Sequence, residues 1–316
     1  MKRRAFVKGI GYSSLAFPLL GSVPNLLSDY DTHHLTILHT NDVHSRIEPF
    51  PEGPGRNAGK GGAARRATLI KDIREDVEHV LLLDAGDIFQ GTPYFNFFGG
   101  ELEFKLMDEM SYDAATIGNH DFDAGFEVLN ERCQSAKFSM LNANYNLINS
   151  PLNKVVKPYQ IFLKGDMKIG VFGIGINLDG LVPKKLYGDI EVLPAYEVAE
   201  RTATLLKKEE KCDLVICLSH LGFQYEINSY LSDVNMAKNT KNIDIIIGGH
   251  THTFLRDAHS IKDKDGESVI INQVGWAGIM LGRIDVSFER GKKRKCYTCK
   301  NEFLQNSVDN SIIKYK

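Results

Sequence analysis

An α/β fold is predicted, and three observations predict it. Strand-like and helix-like runs alternate from residue 35 onward. Two of the strand-like runs, Val80-Leu-Leu-Leu-Asp84 and Ile243-Asp-Ile-Ile-Ile247, are almost continuously apolar, as strands buried under covering helices are. Polar clusters follow five of these runs directly, where an open α/β sheet binds its ligands.

In chain order, 35–40 reads as a short strand. Residues 63–76 read as a helix, with Leu69, Ile70 and Ile73 at helical spacing. A strand is expected at 80–84, a helix at 101–110, a strand at 114–117 and a helix at 126–136. The runs 159–163 and 168–173 straddle Lys164-Gly-Asp-Met167 and predict a hairpin. A helix is expected over 196–211, then strands at 214–218 and 243–247 with a helical stretch between them. From 268 onward the chain reads as β: 269–272, 278–288 and 295–303. No internal repeat or low-complexity linker interrupts this order.

The segment 50–62 is rich in Gly and Pro and reads as a loop. Its Gly59-Lys60 is not a phosphate-binding loop. That motif needs Gly at position 54, which is Pro54, and Ser or Thr after the lysine, where Gly61 stands.

Of the 316 residues, 43% are hydrophobic and 25% charged, the balance of a soluble globular chain with a sizeable core. The formal charge of −2 gives no hint of a nucleic-acid partner, and no long basic stripe appears in the body of the chain, so none is expected. The N-terminus departs from this average. Lys2, Arg3, Arg4 and Lys8 precede a modestly apolar run broken by Gly11, Ser13, Ser14, Pro18 and Gly21. That run is too broken to span a membrane. Arg3-Arg4 with Phe6 resembles a twin-arginine signal, so 1–30 is expected to direct export to the periplasm or cell envelope. No clean cleavage site is visible, so an uncleaved signal can tether the chain to the membrane surface. Removing 1–27 takes four positive charges and no acids, leaving −6.

The five cysteines divide in two. Cys212 and Cys217 flank or lie in an apolar strand and read as buried thiols. Cys296-Tyr-Thr-Cys299 is a lone C-x-x-C. It is too few ligands for zinc, and is open to a local disulfide or to no role at all.

The chemistry lies in the five clusters. Asp42-x-His44 follows the first strand. Gly86-Asp87 follows the second, and Gly118-Asn119-His120-Asp121 the third. Ser219-His220 follows 214–218, and Gly248-Gly249-His250-Thr251-His252 follows 243–247. Each alone has a bland explanation: His220 as a satisfied core histidine, Asn119-His120-Asp121 as a turn or cap. Five at strand ends are not a coincidence of that kind. Carboxylate and imidazole without thiolate suit zinc, manganese or iron. Two such ions about 3.5–4 Å apart clamp the attacking and leaving oxygens of an in-line displacement. Asp87, a lone acid beside Gly86, is the best candidate for a bridge between them.

At this point a family resemblance is carried by long motifs: Thr40-Asn-Asp-Val-His44, Gly86-Asp-Ile-Phe-Gln-Gly-Thr92, Gly118-Asn-His-Asp-Phe-Asp123 and Ile246-Ile-Gly-Gly-His-Thr-His252. They resemble those of the calcineurin-like metallophosphoesterases, and within them the N-terminal catalytic domain of the 5′-nucleotidase branch, over about residues 34–290. The resemblance implies a four-layer α-β-β-α sandwich. It implies one divalent metal on Asp42, His44, Asp87 and His252, and a second on Asp87, Asn119, His220 and His250. It implies that His120 stabilises or protonates the leaving group, oriented by Asp123, while a metal-bridging hydroxide attacks phosphorus. Asp121 receives no direct role.

The substrate implied is a small phosphate ester, nucleotides first, with cyclic nucleotides or another small ester as alternatives. The branch usually carries a C-terminal nucleoside-binding domain, and the expectation here is that 31–316 is the catalytic domain without it. Two readings follow: a stand-alone phosphohydrolase, or a catalytic half that works with a separate nucleoside-binding subunit. A non-catalytic binding protein is the weakest alternative, because every ligand position is filled.

Overall fold

The structure, a computed structural model, describes residues 32–227, 230–289 and 295–305. The export-signal reading of 1–30 lies outside them. Two β-sheets are stacked between two layers of helices. The first sheet runs in the order Lys295–Cys299, Met280–Glu289, Thr32–Thr40, Val80–Asp84, Ala114–Thr116, Ser139–Leu141 and Val156–Lys157, with Glu302–Phe303 also paired to Met280–Glu289. From Thr32–Thr40 to Val156–Lys157 its neighbours are parallel. The second sheet runs His259–Lys262, Ser268–Asn272, Ile245–Gly248, Leu214–Ser219, Met167–Ile174 and Tyr159–Lys164. Its central four strands are parallel.

Strand alternation sorts the side chains into three cores. Leu35, Ile37, Leu81 and Leu83 of one sheet meet Ile216, Leu218, Ile245 and Ile247 of the other. On the outer face of the first sheet, Leu38 and Leu82 pack against Ile70 and Ile73 of the helix Ala63–Asp76, Phe104 and Met107 of Glu101–Glu109, and Leu129 of Phe126–Ser135. On the outer face of the second, Val215, Cys217 and Ile246 pack on Val198 and Ala199 of Ala195–Thr204 and on Met236 and Ala237 of Asp233–Asn239. This is the four-layer α-β-β-α sandwich. Burial on both faces is why the strands read as continuous apolar runs, each buried Leu or Ile contributing about 1.5–3 kcal/mol.

The predicted hairpin is present, Lys164 pairing with Met167 across Gly165 and Asp166. The helix expected over 196–211 is α-helical only to Thr204, and continues as a π turn over Leu205–Glu209. The terminal run 295–303 is two strands rather than one. The helix Pro93–Phe98 and the three-residue strand Ser139–Leu141 had no signal, being too short to show a period.

Cys296 and Cys299 are free thiols. They sit three residues apart on a strand, so they project from opposite faces and form no bridge. Cys133, Cys212 and Cys217 are buried. Among the described residues no helix is long and apolar enough to cross a membrane.

Candidate dinuclear metal site

Three adjacent parallel strands of the first sheet, Thr32–Thr40, Val80–Asp84 and Ala114–Thr116, end in the loops that carry Asp42 and His44, Asp87, and Asn119 and His120. Two adjacent parallel strands of the facing sheet, Leu214–Ser219 and Ile245–Gly248, end at His220 and at His250 and His252. Stacking the sheets brings the five loops together.

The side chains form two clusters whose ligand-type atoms lie within 4.8 Å of one another: Asp42, His44 and His252, and Asp87, His220 and His250. In the first, His252 Nε2 lies 3.3 Å from Asp42 Oδ1, and His44 Nε2 lies 3.0 Å from His252 Nε2. In the second, His220 Nε2 lies 3.1 Å from Asp87 Oδ2. The same Asp87 oxygen is 3.8 Å from His44 Nε2, so it faces both clusters. Asn119 Oδ1 lies 2.9 Å from His250 Nδ1, on the second side. All seven residues named from the sequence are gathered here.

Loop geometry makes this approach feasible at a cost. Asp42, His44, Asp87, His250 and His252 all have positive φ, between 49° and 71°. Such backbone costs non-glycine residues about 1–3 kcal/mol each and persists only where surrounding contacts impose it. Glycines supply the clearance. A Cβ on Gly118 would lie 2.2 Å from Asp87 Oδ1, and one on Gly249 would lie 2.8 Å from both Ala85 O and His220 Nδ1.

The residues present fit divalent cations. His220 Nδ1 donates to Ala85 O at 2.7 Å, and His44 Nδ1 to Phe89 O at 3.1 Å. Each bond turns Nε2 into the site, the nitrogen a metal would take. His220 Nε2 is fully buried and has no hydrogen-bond partner of acceptable geometry. Burial holds His250 down at about 4 and pulls His44 below the usual imidazole value, so both are neutral donors at pH 7. Burial alone would lower His220 and raise Asp87, but Asp87 and Asp42 push His220 up to about 10, and His220, His44 and His120 draw the Asp87 carboxyl below the ordinary carboxylate range, so a cation would take this site by displacing the His220 proton.

His120 lies beside the clusters, its ring centroid 5.3 Å from that of His44. Its Nδ1 meets Asp123 Oδ2 at 2.8 Å, and its backbone N–H donates to Asp87 Oδ1 at 2.8 Å. The Asp123 bond raises the His120 pKa, with burial opposing it.

Four further residues shape the site. Asp121 accepts the backbone N–H groups of Asp87, Ile88, Phe89 and Gly118. It thereby folds the Asp87 loop onto the Asn119 loop, a task its place in the Gly118–Asp123 motif did not reveal. Burial and the neighbouring Asp87 push its carboxyl up to about 7. Asn41 donates to Asp42 Oδ2 and to Gly275 O, and accepts from Val274 N. Gln273 donates to Gly249 O and accepts from Thr251 and Thr253, holding the loop of His250 and His252. Trp276, the one tryptophan in the chain, stacks on His252 with centroids 5.7 Å apart and planes within 7°. No local pattern marks Gln273 or Trp276; their partners are set by the return of the chain after Ser268–Asn272.

A dinuclear-type ligand set at the carboxyl ends of a stacked double sheet defines a metal-dependent phosphoesterase. The model of the calcineurin-like phosphoesterases matches residues 35–254, and the chain belongs to that family. It is 35% identical to a snake venom 5′-nucleotidase of Gloydius brevicauda over 91% of this chain and 52% of that protein. The 5′-nucleotidase precursor of Thermus thermophilus superposes with a TM-score of 0.76 at 28% identity, over 86% of this chain and 55% of that one. The calcineurin-like phosphoesterase YfkN of Bacillus subtilis gives 0.70 at 26%, over 87% and 91%. The chain spans about half the length of the first curated relatives it matches.

Proposed function

We propose that the chain hydrolyses small phosphate esters, nucleotides foremost, at a two-metal site. The observation that carries this reading is the single Asp87 oxygen facing two separate three-ligand clusters. The relatives named 5′-nucleotidases support nucleotides as the substrate class. When bound, two divalent cations supply Lewis acidity to the phosphoryl oxygens and acidify a water nucleophile to near neutrality.

The protein's own residues do the rest. Asp42, His44 and His252 would hold one cation, Asn119, His220 and His250 the other, and Asp87 would serve both. His120, held by Asp123 and raised toward its protonated form, donates to the departing oxygen or stabilises its charge. Manganese, zinc and iron all suit the donor set.

The test is a metal count on the purified chain, with assays against an aryl phosphate, AMP and a 2′,3′-cyclic nucleotide in the same preparation. About two ions per chain with hydrolysis of at least one ester is expected. No metal after reconstitution with manganese or zinc overturns the reading. Two ions with no turnover overturns the stand-alone form of it and directs the search to a nucleoside-binding partner. Export by the twin-arginine route rests on Arg3, Arg4 and Phe6; replacing both arginines with lysine should leave the protein in the cytoplasm.

A further inference from the structure

Behind the loops that carry Asp42, His44 and Asp87 lies a small cavity of about 20 Å³. Ser45, Arg46, Arg66, Asp84 and Glu103 are among its walls. The first loop alternates across it: Asp42 and His44 reach the ligand clusters, while Val43 and Ser45 line the cavity. Asp84 and Ile88 bring the base of the Asp87 loop to the same space.

The walls carry charged side chains, several of whose buried polar atoms have no hydrogen-bond partner, although the Arg46 guanidinium also lies over the Phe50 ring at 4.3 Å. Arg66 is 4% exposed, Glu103 5% and Ser45 0%. Arg66 Nε and Nη1, Arg46 Nε, Ser45 Oγ and both Glu103 carboxylate oxygens are buried without a hydrogen-bond partner. These are six of the eleven such atoms among the described residues, so the deficit is concentrated at one place. Asp84, whose oxygens accept from Thr40 and Gly86, feels the Arg66 charge but makes no hydrogen bond to it. A buried charge without a partner is costly enough that native structures satisfy it. The guest must both donate and accept. A cation is repelled by the guanidinium groups and an anion by Glu103. The volume admits about one water, which needs two to four polar partners.

We propose that an ordered water in this cavity bridges the Arg66 guanidinium to the Glu103 carboxylate, with Ser45 Oγ and Arg46 Nε as further partners, and that this bridged pair positions the loop presenting Asp42 and His44. Arg66 and Glu103 are positioning residues that act through that loop. The functional half of the inference rests on the two-metal reading.

The test compares wild type, Arg66→Met, Glu103→Met, the double variant and Glu103→Gln. Thermal melts of the chelator-treated protein are paired with calorimetric metal titrations. Each single methionine variant strands the opposite charge, lowering Tm and weakening one of the two metal affinities by about 10–100-fold. The double variant buries no charge, so its Tm recovers while its metal affinity stays weak, because the loop has lost its hydrogen bonds. Glu103→Gln still bonds the water, so it keeps metal affinity near wild type, while the loss of its charge lowers Tm by less than methionine does. Additive Tm losses in the double variant overturn the bridged pair, and wild-type metal affinity in it overturns the positioning role. Should a single variant fail to fold, the double variant and Glu103→Gln still decide. A high-resolution crystal structure is expected to show one water bonded to Arg66 and Glu103. A dry cavity, a direct ion pair or an anion there overturns the proposal. Wild type that binds no metal would sink the two-metal reading while leaving the Tm comparison to judge the water.

Discussion

The two ligand clusters are held in different ways. The cluster of Asp87, His220 and His250 is the inner one. The His220 side chain is 0% exposed, and its ring is tied to a main-chain carbonyl. Asp87 receives the His120 N–H, and its loop is clamped by Asp121. The cluster of Asp42, His44 and His252 is the outer one. The His252 side chain is 39% exposed and rests on the face of Trp276. The loop behind it backs onto the polar cavity. Both clusters are tied to main chain, His44 to Phe89 O as His220 is to Ala85 O, and each has two buried ligand-type residues and one partly exposed histidine; what sets the outer apart is that His252 rests on the face of Trp276. The outer cation should exchange first and respond more to changes nearby.

The sharpest way to break this contrast is to remove the residue both clusters share. Asp87→Ala should lose both ions and all measurable turnover. A metal count of two in that variant would refute the bridge. Next in size is His120→Ala, which should keep two ions and lose about 10²–10⁴-fold in turnover, as loss of an acid or charge-stabilising group does. Normal turnover there removes His120 from the mechanism. Trp276→Ala sharpens the comparison directly. It should weaken the outer cation by about tenfold and leave the inner one unchanged. Equal weakening of both, read by metal titration, would show that the clusters are not independently held.

The smallest effect concerns pH. Burial raises Asp233, which accepts from Ser219, from 3.8 to about 8. The folded chain therefore holds a proton there that the unfolded chain has released above pH 4. Stability from this group is present at low pH and is lost as pH rises through about 8. Melts of the chelator-treated protein between pH 5 and 8 should show a shallower decline for Asp233→Asn, and a higher Tm than wild type at pH 8. Asp84 and Asp121, both raised by burial to about 7, keep some slope in the variant. An unchanged slope would place the Asp233 carboxylate in a more polar setting than its surroundings indicate.

Much of the fold was legible because two periods carry it. The run Val80–Asp84 is apolar throughout because helices cover one face and the second sheet the other. Leu69, Ile70 and Ile73 marked their helix by spacing alone. Ser139–Leu141 and Pro93–Phe98 were not legible, since neither is long enough to complete a pattern. The helix beyond Thr204 kept its helical composition while its hydrogen bonding changed to a π turn, which no residue type there announces. The candidate ligands were legible as polar residues after buried strands. Their supporting residues were not. Gln273 and Trp276 act through partners about 20 residues away, and Arg66 and Glu103 sit on separate helices with ordinary surface-type sequences.

From its sequence alone this chain determines where strands end, which side chains stand at those ends, and which glycines leave room beside them. These follow from nearest-neighbour chemistry and from periods of two and 3.6 residues. Only the tertiary structure decides that His44 meets His252 across 208 positions of chain, that one Asp87 oxygen faces both clusters, and that five candidate ligands accept left-handed backbone. Those outcomes depend on how two sheets stack. Stacking is set by the summed burial of some twenty apolar side chains, and no local pattern encodes that sum.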